Sequence, residues 1–214
     1  MVEISETPRE IEIKLKVSED YETMAQRLRN RGAKYLREVR ETNIFWDSPD
    51  GRLRAMRAAL RLRHQITDDG RVLPSLVTWK GQRNGAAISN RPSIDFSATP
   101  PEMAEMLLIK LGYGKTMEFQ KRRRSYEFRD CLVELDDLPI FGYFLEIEGP
   151  SEAAVAAARH DLALDELPVV DTSYFSMVRG YLDAHPELAG RLALPPSGGK
   201  GIADTPVDPV KRRA

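Results

Sequence analysis

Glu10-Ile11-Glu12-Ile13-Lys14-Leu15-Lys16-Val17 is the stretch whose reading decides the fold. Side chains two apart along a β-strand share a face. Glu10, Glu12 and Lys14 therefore line up together, opposite Ile11, Ile13 and Leu15. The segment reads as a strand whose apolar side is buried and whose other side is wholly ionic.

The same period recurs along the chain, near Val39–Trp46, Ala59–His64, Leu76–Lys80, Arg91–Phe96, Lys121–Phe128, Cys131–Asp136 and Tyr143–Glu148. Four helices are signalled between and after these strands. Ser18 is placed to cap the first, with Glu19 and Asp20 in its first turn and Gly32 beyond its end. Thr99 reads as the cap of the second, with Pro100 at its first position and Glu102 completing a capping box. Ser151 opens a third that runs to Leu164, and the fourth spans Ser173–Leu182 with Tyr174, Met177, Val178 and Tyr181 as its apolar stripe. Such a set predicts an α+β architecture, an antiparallel sheet or barrel with helices packed outside. The ordered domain is expected over residues 9–184, and the Pro- and Gly-rich stretch 185–214 is expected to be a disordered tail.

The polar faces of these strands are ionic one after another, and in same-sign doublets. Arg61 pairs with Arg63, Lys121 with Arg123, Glu134 with Asp136 and Glu146 with Glu148; Thr78 shares a face with Lys80, and Arg91 with Asp95. On a single strand, an ionic face is the ordinary solvated side of a half-buried sheet. Repeated doublets of one sign repel unless an opposite charge sits between them. A polyanion among the basic doublets and a divalent cation among the acidic ones would remove both repulsions. Closing the sheet into a barrel would turn this face inward.

Composition narrows the chemistry. The 214 residues carry 32 Lys+Arg against 33 Asp+Glu, a net charge of −1, without the basic excess of a nucleic-acid binder. Cys131 is the lone cysteine and His64, His160 and His185 show no ligand spacing, so a bound metal would take oxygen ligands, which suits Mg²⁺ or Mn²⁺. The polar N-terminus and the lack of a long apolar run predict a cytoplasmic protein without a membrane span.

The elements resemble, in order, those of the CYTH domain, also called the triphosphate tunnel metalloenzyme family. Glu10-Ile11-Glu12-Ile13-Lys14 is similar to its Glu-x-Glu-x-Lys signature. Leu60-Arg61-Leu62-Arg63 resembles its Leu-Arg-x-Arg strand, Thr78-Trp79-Lys80-Gly81 its Thr-x-Lys-Gly segment, and Lys121-Arg122-Arg123-Arg124-Ser125-Tyr126 its Lys-x-Arg-x-x-Tyr element. Val133-Glu134-Leu135-Asp136, Gly142-Tyr143-Phe144-Leu145-Glu146-Ile147-Glu148 and Ser173-Tyr174 complete the series. One departure stands at Ser93, where the family often carries an acid, leaving Asp95 to balance Arg91. A second concerns the Lys121 strand, whose faces exchange on a one-residue slip; Lys121 and Arg123 are expected inward, with Tyr126 and Phe128 toward the helices.

The resemblance implies an eight-stranded antiparallel tunnel, a small-molecule triphosphate and Mg²⁺ or Mn²⁺. It implies phosphate contacts from Lys14, Arg61, Arg63, Lys80, Arg91, Lys121 and Arg123. Metal ligation falls to Glu10, Glu12, Asp136, Glu146 and Glu148, with Glu134 nearby, and catalysis to Glu12, Lys14 and Asp136. Water attacking the terminal phosphorus makes a triphosphatase of inorganic, thiamine or nucleoside triphosphate. Attack by a ribose hydroxyl on the α-phosphorus makes a class IV adenylate cyclase, and a non-catalytic polyphosphate- or nucleotide-binding module is a third reading. Monomer or homodimer is left open.

Overall fold

In a computed structural model of the protein, residues 7–195 are described. The chain runs β1 (Arg9–Val17), α1 (Tyr21–Asn30), β2 (Lys34–Asp47), α2 (Arg52–Ala55), β3 (Ala59–Thr67), β4 (Ser75–Lys80), β5 (Ser89–Ala98) and α3 (Pro101–Lys110). It continues through β6 (Gly114–Phe128), β7 (Cys131–Leu138), β8 (Gly142–Glu148), α4 (Glu152–Asp161) and α5 (Tyr174–Ala184), then a short 3-10 turn (Pro186–Leu188) and β9 (Arg191–Leu192).

Eight strands form a closed antiparallel barrel. Their order is β2-β3-β4-β5-β1-β8-β7-β6, and β6 pairs back onto β2 from Lys34↔Glu127 to Asp47↔Gly114. Irregularities at Tyr35/Arg37 and Phe45/Trp46 interrupt that long ladder, and such bulges bend and twist a strand as closure requires. Each barrel strand has two neighbours, although β5 meets β1 only over Ser89–Pro92 and from Ile94 to Ala98 is paired with β4 alone.

The alternation read from β1 sets the layers. Ile13, Leu15 and Val17 point out of the barrel with Val133, Leu135, Leu145 and Ile147, under Met24, Ala25 and Leu28 of α1 and Val155 and Ala158 of α4. Ile44, Trp46, Leu62 and Val77 are covered by Ala104 and Leu108 of α3. Cys131 is buried beneath α4, its thiol on the Ala154 carbonyl. At one end the inward-facing Phe45, Phe119, Leu138 and Phe144 pack against Tyr174, Met177, Val178 and Leu182, so α5 seats in the barrel mouth. Fully burying such a side chain contributes about 1.5–3 kcal/mol, which holds the helix in the mouth.

Several local expectations are corrected. Asp20, rather than Ser18, caps α1, because its carboxylate accepts from the Glu22 and Thr23 amides at 3.0 Å. Pro100 occupies the cap position of α3 with Pro101 at the first turn, and no capping-box bond forms. The third helix ends at Asp161 rather than Leu164, leaving through Ala163 at a positive φ of 54°. Ser151 and Ser173, read as the first residues of their helices, cap them. Two elements went unread: α2, held by Asp47 accepting from the Ser48, Leu53 and Arg54 amides, and β9, which lies parallel to β6 at Glu118 and Phe119.

Within residues 185–195, Leu192 is buried in the α5 cluster and Leu188 packs against it. The remainder of the expected tail, residues 196–214, lies outside the described residues.

Candidate active site

The barrel encloses a cavity of about 500 Å³. Glu10, Glu12, Lys14, Arg61, Arg63, Lys80, Arg91, Lys121, Arg123, Glu134, Glu146 and Glu148 all line it. Asp136 does not; it is fully buried behind Lys121 and Arg123. The Lys121 strand takes the expected register. Lys121 and Arg123 point in, while Arg122 and Arg124 lie outside over the Tyr21 ring and Tyr126 packs in the outer core.

On the β1–β8–β7 side, charges are mutually paired. Glu10 takes Lys80 and the Arg91 Nε at 2.9 Å, and Glu12 takes Arg91 Nη2 at 3.3 Å. Arg91 is thus balanced from β1 rather than by Asp95, whose oxygens accept from Thr78 and Ser93 instead. Burial alone would raise the Glu10 carboxyl, but Lys80 and Arg91 outweigh it and hold it down at about 2. Arg123 is the hub: it meets Glu134, Glu146 and both oxygens of Asp136. Lys121 donates to Asp136 at 2.8 Å, as does the Tyr174 hydroxyl. Lys14 sits 3.3 Å from Glu146 and 3.9 Å above the Tyr174 ring.

The β2–β3 side is built otherwise. Arg61 makes one long bond, 3.4 Å to Thr78, and Arg63 stands 3.4 Å from Glu41. Neither Nε finds a partner among the described residues, nor do the two polar atoms of Asn43, which is buried opposite Arg63 in the β2–β3 register. Burial, and then the charge of Arg63 beside it, pull the Arg61 guanidinium down to about 10. Burial likewise depresses the Lys121 and Lys80 ammoniums. Buried guanidinium N–H groups without partners are costly, and oxygen-rich anions are what their forks fit.

Glu41, which stands behind the cavity lining, belongs to its charge network and was missed by the sequence reading. It is fully buried and reaches Arg63, Gln65 (2.8 Å) and Lys121 (3.6 Å). Burial would raise its carboxyl, but Arg63, Lys121 and Arg123 drive it far below the ordinary carboxylate range. The signal was available: Glu41, Asn43 and Phe45 share one parity on a segment already read as a strand. Tyr174 was read as part of an apolar stripe, and its hydroxyl turns out to complete the Asp136 cluster.

Among the described residues, no three His, Cys, Asp or Glu side chains are grouped to hold a metal ion as they stand. The chemistry of the donors nevertheless fits one. Glu12 lies directly opposite Glu148 in the β1–β8 register, with Glu10 on the same face. The Glu148 side chain makes no hydrogen bond or ion pair among the described residues, and burial together with the Glu10 and Glu134 charges pushes its carboxyl up to about 7. Facing carboxylates with one left uncompensated form a hard-oxygen set that suits Mg²⁺ or Mn²⁺.

A closed antiparallel barrel with acids and bases gathered in its lumen defines a tunnel-type β-barrel protein. The CYTH domain model matches residues 8–171, and the chain belongs to that family. A Methanocaldococcus jannaschii protein named as a candidate adenylate cyclase is 28% identical over 139 residues, 65% of this chain and 75% of its own. Among solved structures, the PH1819 protein of Pyrococcus horikoshii superposes with a TM-score of 0.67 at 19% identity, covering 80% of this chain and 99% of its own. HpAC1 from Hippeastrum, a candidate adenylyl cyclase described as having a dominant triphosphatase activity, superposes with a TM-score of 0.64 at 16% identity, covering 81% of this chain and 95% of its own. These two likenesses concern the fold.

Proposed function

We propose that the protein is a divalent-metal-dependent phosphohydrolase of a triphosphate substrate: inorganic, thiamine or nucleoside triphosphate. The observation that carries this reading is the pairing of unmet guanidinium donors at Arg61 and Arg63 with an uncompensated carboxylate at Glu148 in one cavity. In this reading Arg61, Arg63, Lys80, Lys121 and, once its acids are shared, Arg123 hold phosphate oxygens, and Lys14 and Arg91 complete the cradle. Glu10, Glu12 and Glu148, flanked by Glu146, hold the ion, which when bound neutralises phosphate charge. Asp136, with both oxygens already occupied, orients Lys121 and Arg123.

Hydrolysis requires water to attack the terminal phosphorus while the bond to its bridging oxygen breaks. The proton of the water passes to Glu148, the carboxylate of the Glu10–Glu12–Glu148 group that burial and its acidic neighbours raise to about 7, and the bridging oxygen leaves with the diphosphate. Alignment and charge neutralisation supply most of the acceleration in such transfers. Cyclisation of ATP is the second reading, favoured by the name of the M. jannaschii relative.

Purified protein offered tripolyphosphate, thiamine triphosphate and ATP, with Mg²⁺ and with Mn²⁺, separates the readings. Orthophosphate release, lost in EDTA and restored by either ion, is the expected result. Equimolar pyrophosphate and cyclic AMP would replace hydrolysis by cyclisation. Binding without turnover would leave a non-catalytic module, and turnover surviving exhaustive chelation would remove the metal.

A further inference from the structure

Helix α3 is apolar on two sides, and one of them is uncovered. Ala104 and Leu108 are buried on the barrel, whereas Met103, Met106, Leu107, Ile109 and the following Leu111 are each more than half exposed. The spacing 103, 106, 107 and 111 is that of a single helical stripe. Ile94 and Phe96, about half exposed on the outer face of β5, extend the patch, since Phe96 pairs with Val77 under the same helix. Single exposed apolar residues need no explanation, but seven large ones gathered on a helix and the strand beside it do. Seven half-exposed side chains supply on the order of 600 Å², most of the roughly 800 Å² each partner contributes to a stable pair.

We propose that this face is where a second copy of the chain docks, α3 against α3 in antiparallel sense about a twofold axis. The charges on α3 carry the choice of occupant. Glu102 at its start and Lys110 at its end are both exposed, and neither makes an ion pair or hydrogen bond among the described residues. An antiparallel copy centred on Met106 sets Met106 against itself and brings Glu102 of each copy level with Lys110 of the other, twice over. That arrangement is self-complementary, as a twofold interface must be. Other occupants fit less well. An anionic lipid surface would meet Glu102 with repulsion. Residues 196–214 bring only Ile202, Val207 and Val210 as large apolar side chains, too few to cover the patch.

The inference stands apart from the tunnel chemistry, and its test reads mass rather than turnover. Sedimentation of the full chain over a dilution series should give twice the chain mass, dissociating on dilution, and Leu107→Glu should give a monomer with unchanged circular dichroism. The charge variants are the sharper arm. Glu102→Lys alone and Lys110→Glu alone should each weaken pairing about tenfold, because like charges then face each other, and the double swap should restore it. A wild-type monomer at the highest concentration would overturn the proposal. So would a double swap no better than either single one. A monomer that pellets with phosphatidylcholine vesicles would also overturn it, giving the face to a membrane.

Discussion

The two sides of the tunnel use the same side chains to opposite ends. On the β1–β8–β7 side, Lys14, Lys80, Arg91, Lys121 and Arg123 each meet at least one carboxylate within the chain. On the β2–β3 side, Arg61 has a single long bond, Arg63 shares one carboxylate with Lys121, and both Nε groups are unmet. A buried ion pair that loses one member costs far more than the pair contributes. The first side is therefore a lattice in which each charge is needed by its neighbours. The second keeps unmet hydrogen-bonding capacity, which destabilises the empty protein and favours whatever brings oxygen atoms. On the proposed reading, the second wall offers a ligand donors that are already unmet, while the first must share its internal pairs to engage one.

The largest effect should come from the hub of the paired wall. Arg123→Met leaves Glu134, Asp136 and Glu146 facing one another without their shared cation, and should cost about 3–5 kcal/mol in denaturant unfolding. A loss below 1 kcal/mol would show that the wall is not a lattice. Arg61→Ala sharpens the contrast from the other side. Its effect on the empty protein should be small, while tripolyphosphate affinity falls roughly 10- to 150-fold, about 1.5–3 kcal/mol, on loss of a charged hydrogen-bond donor. Calorimetry with tripolyphosphate reads it, and unchanged affinity removes Arg61 from the site.

The smallest effect concerns Glu148. Its folded carboxyl is raised to about 7 from 4.5, so the stability it contributes is present below about pH 4.5 and is lost as pH rises through 7. Glu148→Gln should therefore gain about 1–2 kcal/mol on the metal-free wild type between pH 5 and pH 8, a partial value for a group not wholly shielded from water. Parallel pH curves for the two proteins would show that Glu148 already has a partner.

Much of this was legible in the sequence because a strand's period of two is local. Glu10 through Lys14, Arg61 and Arg63, and Glu146 and Glu148 declare their shared faces without knowledge of any neighbour. Which strand lies beside which is not local: the closure of β2 onto β6, or of β1 between β5 and β8, has no trace in spacing alone. The same limit explains the individual misses. Asp95 looked like the counter-charge of Arg91 because it is four residues away, yet Glu10 lies across the ladder from Arg91. Helix α2 depends on Asp47 reaching back over six residues, and β9 on two residues that pair only because Phe119 is already in place. Ser18 and Asp20 are both competent caps, and only the backbone path selects between them.

Helix α5 carries a consequence for how the molecule is made. Tyr174, whose ring lies beneath Lys14 and Lys121 and whose hydroxyl bonds Asp136, belongs to the last α-helix among the described residues. During synthesis the strands emerge before it, so until it arrives the barrel is a pipe with a wet end. Those two ammonium groups must be served by water until the helix docks. Expulsion of that water waits on C-terminal chain, which makes seating of α5 the natural late step of folding.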